Sequence, residues 1–218
     1  MSKKATAQFW DTAHRYLGHQ LKVIRQVSSH TIDSYRDCLN SFIDYLERVE
    51  NISRKKISFH NFGKETIKRY QTWMITEQGL APKTCNLRLT AIRSFLEYAA
   101  QEYLWLMPVY TDACTIAGVK TPNHAIEYFE PDEMTALLAA PSGTSRTDRR
   151  NQMMLIFLYD TAARVAEARQ VKVSDLHLDA GVPYVTLLGK GRKYRNIPLM
   201  EKTVLHLKRY LKDFHRSD

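Results

Sequence analysis

The sequence predicts a mainly α-helical fold with a small β-hairpin or sheet, divided into two domains. Most apolar residues of the first hundred positions recur at spacings of three and four, as on one face of an amphipathic helix. Pro108, Gly118 and Pro122 then interrupt the pattern. Only residues 184–188 and 195–199 have the composition of strands, and a glycine-containing turn joins them. A chain of 218 residues is long enough to form two small cores.

Four helical segments precede the interruption. The clearest is residues 29–49, whose apolar residues share one face and whose start has serine or threonine at 28, 29 and 31 as possible caps. Shorter periodic segments cover residues 9–21 and 64–77, and a fourth begins at Pro82. Four helices without a strand between them predict a compact helical domain.

Residues 106–127 have neither helical nor strand periodicity, which is typical of a linker. We therefore expect an all-helical domain at residues 8–105, a linker at 106–127 and a second domain at 128–218.

The second domain is expected to begin with helices. Pro131 and the two carboxylates after it are typical of a first helical turn. The patterns predict helices at 132–140, 146–159 and 201–214, and a short helix that starts near Arg164.

Two basic residues near the predicted hairpin suit an oxyanion, most simply a phosphate. Arg164 follows two alanines at a helix start and presents a guanidinium fork, whereas Lys190 lies between two glycines and presents a mobile ammonium. The alternative is structural. Arg164 then only pairs with Glu167 three residues later, and Lys190 is a solvated charge on a turn.

The composition favours a nucleic acid as partner. The formal net charge is +9, which attracts polyanions, although a basic protein without such a partner is the plain alternative. Three cysteines without a C-x-x-C pair indicate reduced thiols, and we expect no metal and no cofactor. No apolar run is long enough to span a bilayer, and the N-terminal residues lack the apolar core of a signal peptide, so we expect a cytoplasmic protein.

The stretch from Leu158 to Leu199 resembles the tyrosine recombinase (phage integrase) family. The resemblance rests on landmarks in order: Tyr159-Asp160-Thr161, Arg164, Glu167, Val173-Ser174-Asp175-Leu176, Gly189-Lys190-Gly191 and Arg195-x-Ile197-Pro198-Leu199. Two departures from the family pattern are Ala162, where glycine is usual, and Ala168, where leucine is usual. Neither departure removes a functional group.

The resemblance implies the chemistry. Members of the family cleave DNA through a tyrosine, form a 3′-phosphotyrosine and rejoin the strand without ATP or a metal. Arg164 matches the first of two catalytic arginines, Lys190 the hairpin lysine that protonates the leaving oxygen, and Glu167 a supporting acidic position. The fold implied for residues 128–218 is the N-terminal part of a mixed α/β integrase catalytic domain.

The N-terminal domain matches the family more loosely, through Thr31-x-x-x-Tyr35 and a pattern from Thr84 to Phe95. It implies an all-helical, SAM-like core-binding domain that clamps double-stranded DNA, with copies of the protein assembling on DNA in the full-length form. The candidate DNA contacts are Lys83, Thr84, Asn86, Arg88, Arg93, Arg192, Lys193 and Arg195. For Arg88 and Arg93, the alternative is that they solvate a helix or pair with a glutamate.

In the family, a His-x-x-Arg box and the nucleophilic tyrosine lie several dozen residues beyond the hairpin. The sequence ends at Asp218, so we expect a truncated chain that does not cleave DNA alone. A His-x-x-Arg pattern followed by a tyrosine does occur at His206, Arg209 and Tyr210. It follows the hairpin too closely and lies on a predicted structural helix, so we do not expect it to be the catalytic box. A stand-alone DNA-binding regulator derived from a recombinase is the alternative function, and a basic helical protein without a DNA role is a third.

Overall fold

The computed structural model describes residues 3–122, 127–189, 191 and 193–215. The chain divides into two units, Met1–His124 and Ala125–Asp218. Among the described residues, none of the helices has both the length and the apolar character that a membrane crossing requires.

The first unit is helical. Its α-helices are α1 (Lys3–Arg15), α2 (Ser29–Arg48), α3 (Lys64–Thr76), α4 (Pro82–Glu102) and α5 (Met107–Cys114). A π-helical stretch, Tyr16–Ile24, continues α1, and 3₁₀ turns cover Arg54–Lys56, Phe59–Phe62 and Leu104–Leu106. The helix start expected near residue 29 is confirmed, since the Ser28 hydroxyl accepts a hydrogen bond of 3.2 Å from the backbone N–H of Thr31.

Aromatic rings fill the centre of this unit. Phe9 packs edge-on against Phe95 of α4, with 5.8 Å between ring centroids, and Phe42 of α2 packs against Phe62 at 4.8 Å. All four side chains are at most 1% exposed. Such rings bury a large apolar area, which stabilises a helical unit of this size.

The linker expected at residues 106–127 is wrong over its first part. Residues 107–114 form α5, which packs against α4, and Leu106, Ala113 and Ile116 are buried in the core of the first unit. Pro108 does not interrupt this helix because it lies in the first turn, where a backbone N–H has no partner within the helix.

The second unit combines short helices with a sheet. Its helices are α6 (Pro131–Ala139), α7 (Arg146–Thr161), α8 (Val165–Ala168) and α9 (Glu201–Phe214), and its strands are β1 (Leu176–His177), β2 (Tyr184–Leu188) and β3 (Tyr194–Pro198). The sheet is antiparallel in the order β1-β2-β3, with Val185 opposite Ile197. The predicted fold class is confirmed, and β1 is an addition, since two residues are too few for a strand pattern to appear in the sequence.

One face of the sheet forms the core of this unit. Val185 and Leu187 alternate with half-buried residues and are fully buried. They belong to the same buried cluster as Phe157 of α7 and Leu207 of α9. The hairpin formed by β2 and β3 therefore has a fixed position relative to the end of α7.

Candidate active site around Arg164

A tight turn places Arg164 at the start of α8. Helix α7 ends at Thr161, and Ala162 adopts the left-handed conformation, with φ 47° and ψ 31°. The buried Thr161 hydroxyl donates to the Phe157 carbonyl at 2.6 Å and accepts from the Ala163 N–H at 3.3 Å. Arg164 is then extended, with φ −64° and ψ 146°, and precedes the first residue of α8. The turn thus ends one helix and begins the next within three residues.

The carboxylate of Glu167 joins two arginines. Its Oε2 accepts hydrogen bonds from the Arg164 backbone N–H at 2.9 Å and from Nη2 of Arg195 at 2.8 Å. Its Oε1 accepts from Nη1 of Arg164 at 2.8 Å and from Nη1 of Arg195 at 3.3 Å. The Glu167 side chain is 6% exposed, whereas that of Arg164 is 68% exposed. Glu167 thus holds the guanidinium of Arg164 through Nη1, and most of the Arg164 side chain is exposed to solvent.

The same contacts keep Glu167 ionised. Hydrogen bonds from the backbone and the side chain of Arg164, with further help from Arg195, lower the pKa of Glu167 to about 2. Two guanidinium groups and one carboxylate leave the cluster with one net positive charge. This arrangement suits an oxyanion such as a phosphate.

The start of the hairpin turn lies against this cluster. The Gly189 N–H donates to the Lys193 carbonyl at 2.8 Å. A Cβ at Gly189 would lie 3.4 Å from Nη1 of Arg195 and 3.6 Å from Oε1 of Glu167, so the backbone passes close to both. Two predicted site residues of the turn, Lys190 and Arg192, lie outside the described residues.

Arg195, which is predicted to contact DNA, forms an ion pair within the chain. Both of its Nη atoms donate to Glu167, which lies 28 positions earlier in the sequence. No local sequence pattern links residues at that separation, so the sequence does not predict this ion pair. Lys193, two positions before it, is exposed as expected of a phosphate contact.

Two of the predicted DNA contacts on α4 have hydrogen-bond partners within the chain. The Asn86 side chain donates to the Val119 carbonyl at 2.8 Å and accepts from the Val119 N–H at 2.7 Å. Arg93 donates through Nε to the Ala113 carbonyl at 3.0 Å and through Nη2 to the Ile116 carbonyl. Both side chains thus bind the backbone of residues 113–119, and their contact with DNA stays a prediction.

The other candidates on α4 differ in exposure. Lys83 is exposed and Thr84 is half-buried, both in the first turn of the helix. Arg88 is half-buried near Tyr70 of α3. Burial raises the pKa of that tyrosine, and the Arg88 charge opposes the shift. Lys83 is thus the most accessible candidate on α4.

His206, Arg209 and Tyr210 lie on α9, as expected for a structural helix. The Tyr210 ring stacks on Phe214, with 4.5 Å between centroids. Together the three side chains line a cleft, whose described walls also include Arg149 and Asp213 but not Arg164. In the described residues, this segment and Arg164 therefore do not line the same cleft.

Comparison with known proteins identifies the same family as the sequence landmarks between Leu158 and Leu199. Residues 127–218 match the Phage integrase family, and residues 14–103 match the Phage integrase, N-terminal SAM-like domain. Tyrosine recombinase XerD of Halalkalibacterium halodurans is 35% identical over 196 residues, which cover 88% of this chain and 61% of that protein. XerD of Staphylococcus epidermidis is 30% identical over 194 residues, with coverages of 88% and 61%. The chain thus spans about three fifths of the length of these two relatives.

Solved structures show the same fold. The Tn1549 transposon integrase in complex with transposon right end DNA matches with a TM-score of 0.65 and 16% identity, over 98% of this chain and 67% of that one. The XerH site-specific recombinase in a post-cleavage complex with difH matches with a TM-score of 0.59 and 19% identity, over 87% and 53% of the two chains. The chain therefore belongs to the phage integrase family of tyrosine recombinases.

Proposed function

We propose that this chain binds double-stranded DNA and presents Arg164 to a backbone phosphate, as part of a site-specific recombinase that cleaves and rejoins DNA through a phosphotyrosine. The observation that carries the proposal is the Arg164–Glu167–Arg195 cluster. A buried carboxylate holds one end of an exposed guanidinium, which is an arrangement that stabilises charge on phosphate oxygens. In an enzyme, such a donor contributes most when negative charge grows on those oxygens in the transition state.

The assignment of the helical residues 8–105 as the DNA-clamping domain, and of 128–218 as catalytic, is part of the same proposal. It is supported by the division into two units near residue 124 and by the two family matches. Lys83, Thr84 and Arg88 on α4, and Lys193 on the hairpin, are the proposed phosphate contacts of the described residues. The net charge of +9 favours this partner, and we place the activity in the cytoplasm.

Several relatives are described with DNA, and one, lambda integrase, as a tetramer bound to a Holliday junction. We propose that copies of the full-length protein likewise assemble on DNA. The 218 residues alone are proposed to bind without cleaving, because the described tyrosine that follows His206 and Arg209 packs on Phe214, in a cleft whose described walls do not include Arg164.

The binding proposal is tested by fluorescence anisotropy with a labelled duplex over a series of salt concentrations. Each phosphate contact contributes a slope of roughly −0.9 to the plot of log K against log salt, so Lys83→Ala should make the slope shallower by about 1. Lys68→Ala is the matched control, since Lys68 is an exposed lysine of α3 that pairs with Glu65. Binding that is absent, or that does not depend on salt, would contradict the proposal.

The absence of cleavage is tested by incubating the protein with nicked duplexes, denaturing it and searching for protein covalently attached to DNA. We expect no adduct. An adduct that disappears in Tyr210→Phe would show that these residues contain a nucleophile, and the proposal for the 218-residue chain would be wrong.

A further inference from the structure

The two arginines of the cluster use Glu167 in different ways. Arg195 makes a bidentate contact, in which its two Nη atoms donate to the two carboxylate oxygens. The side chain of Arg164 contacts one oxygen through Nη1, and the other oxygen receives the Arg164 backbone N–H. A carboxylate has about four acceptor positions, so these four hydrogen bonds occupy all of them.

This division leaves most of the Arg164 guanidinium available. Of its five N–H groups, the side chain gives one to Glu167. The described residues offer Arg164 no other hydrogen-bond acceptor, and its side chain is 68% exposed. Without Arg195, two acceptor positions on Glu167 would be empty. They would then be open to the side chain of Arg164, whose guanidinium has the geometry for a bidentate contact with a carboxylate.

From this geometry, we propose that Arg195 is a positioning residue for Arg164. By donating to both oxygens of the Glu167 carboxylate, Arg195 prevents the side chain of Arg164 from forming a bidentate ion pair with it. The remaining N–H donors of Arg164 then stay directed at a phosphate. The inference rests on the proposed function for the identity of that phosphate. It gives Arg195 a role other than direct contact with DNA.

The position of Gly189 supports this role. Arg195 is on β3, and its contact with Glu167 joins the hairpin to α8. A Cβ at Gly189 would lie 3.3 Å from the Lys193 carbonyl, which is closer than most Cβ contacts, and 3.4 Å from Nη1 of Arg195, which is ordinary van der Waals contact. The hairpin backbone therefore passes within van der Waals distance of the ion pair, and glycine keeps the Lys193 carbonyl free of a tight contact.

A double-mutant cycle on DNA binding tests the inference. The probe is a fluorescein-labelled duplex of random sequence, and the variants are Arg164→Ala, Arg195→Met and the two combined. We expect each single change to weaken binding by about fivefold to tenfold, as for one lost phosphate contact. The combined change should weaken it no further, because Arg195 acts only through Arg164. An equal additional loss in the combined variant would show that Arg195 contacts phosphate itself and would overturn the inference.

Arg195→Lys tests whether the effect of Arg195 on binding depends on the geometry of its guanidinium or only on its positive charge. Lysine retains the positive charge but lacks the fork, so we expect it to bind as weakly as Arg195→Met. Full rescue by lysine would contradict a positioning role. Arg149→Met is the matched control, since Arg149 pairs with Asp213 on the same unit and outside the cluster, and we expect it to change affinity less than twofold.

A measurement without DNA distinguishes failure of this inference from failure of the proposed function. In protein labelled with ¹⁵N-arginine, rotation of the Arg164 guanidinium about Nε–Cζ should become slower in Arg195→Met, because Glu167 then contacts it twice. Arg149→Met should leave the rotation unchanged. Slower rotation in a protein that does not bind DNA would support the inference and refute the proposed function. Unchanged rotation would overturn the inference whatever the DNA result, and Arg195→Lys serves if the methionine variant does not fold.

Discussion

The side-chain amide of Asn86 forms two hydrogen bonds with the backbone of Val119, accepting from its N–H at 2.7 Å and donating to its carbonyl at 2.8 Å. Asn86 is in the second turn of α4, and Val119 follows α5 by several residues. The contact therefore fixes the segment after α5 against the helical unit. Gly118 permits it, because a Cβ there would lie 3.0 Å from Oδ1 of Asn86.

Asn86→Ala should destabilise the first unit by about 2 kcal/mol, because it removes two hydrogen bonds and leaves the backbone groups of Val119 without these partners. Urea unfolding followed by tryptophan fluorescence measures this unit alone, since all three tryptophans, Trp10, Trp73 and Trp105, lie in it. Thr84→Ala in the first turn of α4 is the control and should change stability by less than about 0.5 kcal/mol. A loss of DNA affinity in Asn86→Ala without a loss of stability would show that Asn86 contacts DNA and that its bonds to Val119 contribute little to stability.

Arg93→Met should loosen α5. The Arg93 guanidinium is hydrogen-bonded to the carbonyl of Ala113, in the last turn of that helix, and to the carbonyl of Ile116, two residues after the helix ends. Carbonyls of the last turn have no partners within the helix. We expect faster hydrogen exchange of backbone amides in residues 107–119 and a loss of about 1.5 kcal/mol in stability. Exchange elsewhere in the first unit, for example in α2, should change less. Uniform acceleration over the whole unit would show that Arg93 is not specific to α5.

Acid should remove the contribution of Glu167 to stability. Its folded-state pKa is lowered to about 2 by the hydrogen bonds from Arg164 and Arg195, whereas its ordinary value is 4.5. A lowered folded pKa means that the unfolded chain takes up the proton first as pH falls. The contribution is therefore complete above about pH 4.5 and is lost as pH falls toward 2.

The measurement compares unfolding of the wild type and Glu167→Gln by circular dichroism in urea at several pH values. Glutamine does not titrate, so the difference between the two proteins isolates Glu167 from the other carboxylates. We expect the wild type to be the more stable protein at neutral pH, with an advantage that shrinks in the acid range. An advantage that is constant from neutral pH to pH 2 would contradict the assigned ion pairs.

Ala162→Gly should stabilise the turn before Arg164. Ala162 has a φ of 47°, a conformation that costs an L-residue roughly 1 kcal/mol. The greater freedom of glycine in the unfolded chain offsets about half of that gain, so the expected net effect is about 0.5 kcal/mol. Ala166→Gly in α8 is the matched control and should destabilise by about 1 kcal/mol. Differential scanning calorimetry measures both, and a lower Tm for Ala162→Gly would show that the alanine methyl group has a packing role.

Much of the fold follows from local patterns that the sequence displays directly. The helical periodicity of residues 29–49 and the strand composition of residues 184–188 predicted α2 and β2 nearly to their ends. The order of landmarks around Arg164 and Glu167 was sufficient to place the chain in its family, because those residues are close in sequence and their spacing is itself the signal.

The partners of the side chains required the folded structure. Arg195 and Glu167 are 28 positions apart, and Arg93 and Asn86 contact a segment whose Pro108 and Gly118 resemble a linker. An exposed basic residue and one that is bound to a distant carbonyl or carboxylate have the same appearance in a sequence. What distinguishes them is whether folding brings an acceptor within hydrogen-bonding distance, and this depends on the packing of α4 against α5 and of the hairpin against α8 rather than on any local pattern.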